Sequence, residues 1–283
     1  MNGVEVIGPW WSWNRRLPAV VLGVLALGFA AMALAQAWSD APTFDEPVYV
    51  AAGVVAVTHH DLWMNDEHPP LAKVAAALPA LMAHPVVPDG ATRTIADEQA
   101  YSAQFVHANL AAGRLRRVMF LARLVPIAES IAVAAACWVL ASAVAGPWAG
   151  LVAGGLWLAS PTTLGLGHLD GIDLPFTLVT VLLAIAVDRY HRSPSRWRAA
   201  TVGGGAALAL GVRNTGLLVA PIAVAVVALL GARVRGRRDA LGDAALAAVL
   251  AWVGLWAVYL LLDPSQIGHI GVAPSPFVSG LHR

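Results

Sequence analysis

The chain has 283 residues, 58% of them hydrophobic and 12% charged, with a formal net charge of +1. Soluble domains carry about a quarter charged residues, so this composition excludes an ordinary soluble core, and so small a net charge without a long basic tract excludes a nucleic-acid binder. The single cysteine, Cys137, excludes an internal disulfide framework and, within an apolar run, reads as a packing residue.

A membrane-crossing helix needs about 20 mostly apolar residues. Residues 1–16 read as a cytoplasmic tail ending at Arg15-Arg16, and residues 17–38 as a first span without a charge. Ala33-Leu34-Ala35 offers a signal-peptide cleavage site, but the apolar stretch is long for a signal, which favours an uncleaved anchor. Residues 39–117 form a long outer loop with interfacial helices. The run 124–169 carries one charge, Glu129, and divides at Gly146-Pro147. Gly146, Gly150 and Gly154 recur every four residues, predicting close helix packing. Residues 174–187 make a shorter span, extended by snorkelling of Asp188 and Arg189.

The stretch 199–232 is interrupted only by Arg213 and flanked by Arg189, Arg192, Arg196 and Arg198 on one side and Arg233, Arg235, Arg237 and Arg238 on the other. Short loops this rich in arginine belong in the cytoplasm. Both flanks can lie there only if the stretch crosses twice, turning near Arg213-Asn214. Residues 244–262 form the last span and 263–283 an outer tail. The predicted fold is thus one all-α, polytopic membrane module over 1–283. It has about seven spans, the first at 17–38 and the rest within 118–262, in the plasma membrane with the N-terminus inside and the active face outside.

Polar residues gather at the predicted outer face in three motifs: "TFDEP" from Thr43, "NDEHPPLAK" from Asn65 and "GHLDGIDLP" from Gly167, with Arg123 and Arg213 at the same level. Each has a local reading. Thr43 with Glu46 fits a capping box, Asp173 fits a helix cap, Lys73 and Arg123 fit snorkelling, and Glu129 fits pairing with Arg123. Together they predict more. A helix starting at Pro69-Pro70 with Lys73 in its first turn suits an anion. Arg123 and Arg213 add bidentate donors for phosphate, and Asp45 or Asp173 could take a proton from an attacking hydroxyl. That set suits sugar transfer from a lipid phosphate. No cofactor is required; Glu67, His68 and His168 are the candidate ligands for a divalent ion, though no spacing matches a zinc pattern.

"FDEP", "EHPPLAK" and "LDGIDLP", with "ALALGVRNTGLL" further on, resemble the integral-membrane GT-C glycosyltransferases, in particular the protein O-mannosyltransferase and aminoarabinose-transferase branch. The resemblance implies a polyprenyl-phosphate sugar donor, a catalytic aspartate at Asp45, and substrate-binding roles for Glu46, His68, Lys73, Arg123, Asp170 and Arg213. The acceptor would be a glycan, lipid or protein, with membrane lipid as surroundings. Two departures stand out: Val48 and Tyr49 occupy the place of a histidine common in the family, and family members continue well beyond this length. The chain is therefore expected to be a fragment or to work with a partner subunit. Two other classes compete. A carrier would keep its charges near the midplane rather than at one rim, and a non-catalytic subunit would release no polyprenyl phosphate.

Overall fold

The computed structural model describes residues 16–89, 95–269 and 271–281; of the expected cytoplasmic tail, all but Arg16 lies outside these. The helices are α1 (Arg16–Ser39), α2 (Glu46–His59), α3 (Leu71–Ala80, continued by a 3-10 turn at Leu81–Ala83), α4 (Ile95–Ala111), α5 (Leu115–Ala145), α6 (Pro147–Ala159), α7 (Pro161–Leu166), α8 (Asp173–Arg192), α9 (Arg196–Val212), α10 (Gly216–Val234), α11 (Arg237–Leu262) and α12 (Ser275–Gly280). Among the described residues there is no strand. Five helices, α1, α5, α8, α10 and α11, are long and apolar enough to cross a bilayer, while α6 is apolar but has 13 residues and α9 has 17. The protein is a helical, multi-pass membrane protein. Its large exposed side chains, such as Val20, Val24 and Leu27 on α1 or Leu218, Ile222 and Leu229 on α10, suit a lipid surround rather than water.

The helix breaks have local causes. Gly146, at φ +87°, separates α5 from α6 in a backbone conformation that β-carbons disfavour. The run 124–169 is interrupted a second time at Ser160-Pro161, where the Ser160 hydroxyl accepts the Thr163 N–H at 3.1 Å and caps α7. The apolar run 199–232 breaks at residues 213–215, between α9 and α10.

Helices α1, α5 and α6 pack through Leu22, Phe29, Ala33, Ile127, Ala134 and Leu158. Gly150 and Gly154 allow the approach: a β-carbon on either would lie within 2.8 Å of a backbone carbonyl of α5. Helices α8 to α11 form a second group around Leu183, Tyr190, Val202, Val227 and Leu255. On top, α2, α3 and α4 dock against α5 through Val50, Val54, Ala76, Phe105 and Val118. Gly53 is required there, since a β-carbon would run into the Lys73 carbonyl.

Candidate functional site

The segment before α2 is locked by one buried ion pair. Arg123, from α5, spends all five guanidinium donors within the protein. Nε and Nη2 bind Glu46 Oε1 and Oε2 at 2.8 and 2.7 Å, Nη1 binds the Ala37 and Asp40 carbonyls at 3.0 and 2.8 Å, and Nη2 also binds the Ala41 carbonyl at 3.0 Å. Glu46 accepts further bonds from the Thr43 N–H (2.9 Å), the Thr43 hydroxyl (3.1 Å) and the Asp170 N–H (3.0 Å). Both side chains are shut off from solvent. Burial raises the Glu46 pKa, but Arg123 and these donors outweigh it and hold the carboxyl below its ordinary value. The expectation that Arg123 and Glu46 contact a ligand is corrected: Arg123 has no donor left to offer, and both position the loop instead. Glu129 is likewise not the partner of Arg123.

Lys73 is also turned inward. Its ammonium donates to the Asn65 carbonyl and, at 3.3 Å, to Asn65 Oδ1, and to the His68 carbonyl at 2.7 Å. Burial pulls its pKa down to about 7, against the pull of Glu98, Asp66 and Glu67. Asn65 adopts a left-handed conformation (φ 54°) that its short amide tolerates, gives its N–H to Glu98 Oε1 at 2.9 Å, and steadies Glu67 through Nδ2 at 3.0 Å. Pro69 and Pro70, at the N-terminus of α3, are buried. The void bordered by Lys73, His68 and Tyr259 measures about 10 Å³, room for about one water. The expected anion site at Lys73 is therefore closed; the lysine shapes the loop that presents Glu67 and His68.

Exposed charged groups remain beside these two anchors. Asp45 stands exposed just before α2 with its carboxylate outside any capping bond: its backbone is already helical and Pro47, in the first turn, has no N–H to offer. One turn on, Tyr49 packs its ring 6.5 Å from that of His68. Its pKa is pushed up to about 12 by burial and then by the charges of Asp45, Glu67 and Asp170, with Arg213 opposing. Charges from four chain segments thus act on one phenol. Arg213 follows α9 and donates to Asp173, which stands exposed in the first turn of α8. Asn214 Nδ2 donates to the Glu67 carbonyl at 2.8 Å, tying the α9–α10 turn to the α3 loop. Beneath lies an apolar floor of Ala72, Ile172, Val179, Ala209 and Val212, with Tyr49, Leu71 and Phe176 against it.

His68 is half-buried, and burial followed by the Lys73 charge pulls its pKa down. Asp170 is buried with Oδ2 unpartnered among the described residues. Burial, then Glu46 and Glu129, push its pKa well above its ordinary value. The ion-ligand set is corrected: Glu67 and His68 are neighbours, but His168 is buried elsewhere with Nε2 3.0 Å from Asp40 Oδ2. Among the described residues no three potential ligands converge.

Tyr49, Asn65, Asp40 and Asn214 are not among the expected site residues. Asn65 and Asn214 carried a signal as polar residues inside or beside the motifs, and Tyr49 carried one by its place at the position of the family's histidine. Comparison with protein-family models, with curated proteins and with solved structures found no match.

Proposed function

We propose that the chain is a GT-C-type membrane glycosyltransferase with about seven crossings, moving a sugar from polyprenyl phosphate to an acceptor hydroxyl or amine on the outer face. The crossings beyond the five long helices would be α9 and the α6–α7 pair, which keeps both arginine-rich turns on one side. The observation that carries the reading is that the exposed Asp45 carboxylate, free of a capping bond, and Arg213, hydrogen-bonded to Asp173, both act electrostatically on Tyr49. In this reading the acceptor oxygen or nitrogen attacks the anomeric carbon as the bond to the phosphate oxygen breaks, inverting the centre. Asp45 takes the acceptor proton. Arg213, leaving Asp173, meets the departing phosphate. Asp173, held by Arg213 before that step, is the alternative base.

Purified protein in lipid, supplied with polyprenyl-phosphate sugars, should release free polyprenyl phosphate. Asp45→Asn keeps the shape and should lower turnover about a hundred-fold or more with unchanged thermal stability. Turnover within a few-fold of wild type would move the base to Asp173 or end the transferase reading, and absence of any release by wild type would favour a non-catalytic subunit.

A further inference from the structure

At the opposite end of the bundle, an open groove of about 800 Å³ runs along α8 between α5 and the start of α9. Its α5 wall consists of Ala132, Ala135, Ala136 and Val139, small side chains that leave room between two long apolar helices. Arg189 and Arg198 close one end. A smaller hollow of about 300 Å³ continues from it along Val139, Ile185 and Arg189. From Leu178 to Arg189 the groove follows about 16 Å of α8 at 1.5 Å per residue, about half of a 30 Å hydrocarbon core and so the depth of one leaflet.

The arginines are not equally occupied. Arg192 is held by Asp188 at 2.7 Å and by the Ala143 carbonyl at 3.1 Å. Arg198 uses Nη1 for the Arg189 and Ser193 carbonyls at 2.7 and 2.9 Å, leaving Nε and Nη2. The Arg189 guanidinium has no partner among the described residues and is exposed at the groove. An apolar channel one leaflet deep, ending at unneutralised guanidinium donors, matches a chain joined to a phosphate.

We propose that this groove is a binding site for an anionic glycerophospholipid, with an acyl chain along the alanine wall and the phosphate between Arg189 and Arg198. The site does not depend on the transferase reading and shares no residue with it.

The test uses purified full-length chain in micelles with equimolar phosphatidylglycerol and phosphatidylcholine, with retained lipid counted by native mass spectrometry. Phosphatidylglycerol should be retained preferentially. Arg189→Gln should lower its occupancy about five-fold, the weight of one basic residue at an anionic surface. Arg196→Gln removes the same charge outside the groove and should change nothing. Ala135→Leu, or Leu182→Trp should the first not fold, fills the channel without touching charge and should lower retention comparably. Equal losses in Arg189→Gln and Arg196→Gln would reduce the effect to surface charge. Full retention in a folded groove-filling variant would overturn the proposal.

Discussion

Replacing Arg123 by methionine tests the account of the buried lock. The variant keeps an unbranched apolar stem but removes five donors, leaving Glu46 at 0% exposure with only the Thr43 and Asp170 donors. Truncating one partner of a buried ion pair costs about 3–5 kcal/mol. At about 2–4 °C per kcal/mol for chains of 150–250 residues, the melting midpoint in detergent should fall by about 6–20 °C, followed by circular dichroism at 222 nm. Arg123→Met combined with Glu46→Leu removes both charges and should recover more than half of that loss, because well-packed apolar replacements of buried pairs are close to neutral. The pair also sets an acid limit. The Glu46 carboxyl is held below its ordinary value of 4.5, so its stabilisation is complete above that value and is lost as pH falls through the lower folded one. The double variant should lack this acid-side decline. A midpoint for Arg123→Met within about 2 °C of wild type, no more than the shift from one kcal/mol, would refute the lock.

Lys73, held near 7 in the folded protein and at 10.5 ordinarily, binds fewer protons folded than unfolded between these values. Stability should therefore rise from pH 7 to 9 in wild type, and the rise should flatten in Lys73→Met when melting is measured across that range. Arg213→Ala should weaken binding of a lipid-phosphate sugar about ten- to a hundred-fold, the value of one charged hydrogen bond, whereas Asp173→Asn releases Arg213 and should tighten it; unchanged binding in both would return Arg213 to a purely structural role. Single cysteines placed in 189–198 and in 233–236, in a Cys137→Ser background, should behave alike towards impermeant thiol reagents in intact cells, and labelling of only one would mean that α9 and α10 do not both cross.

The helices were largely legible because a charge-free run of sufficient length has few other uses, and because arginines flanking both ends of 199–232 demand a turn in its middle, which falls at 213–215. The break at Ser160-Pro161 was written in the sequence too, as a cap residue before a proline, but was masked by the apolar run around it. Partner choice was not legible. Thr43 and Glu46 do pair at the spacing of a capping box, which alone would make Glu46 worth about 1 kcal/mol. Its main partner, 77 residues away, leaves no local trace. Lys73 fails differently: it is spent on carbonyls of Asn65 and His68, and where a backbone carbonyl points cannot be read from side-chain identities.

The lock has a consequence for biogenesis. Glu46 leaves the ribosome 77 residues ahead of Arg123 and 124 ahead of the Asp170 N–H. At about 5–20 residues per second, it waits roughly 4–15 s for its counter-ion and longer for its last donor. The segment bearing Asp45 therefore cannot settle as it emerges; it matures only after α5 has been inserted, and its final bond awaits the chain beyond α7. An insertion error at α5 would leave this face unformed even where the helices preceding it had folded.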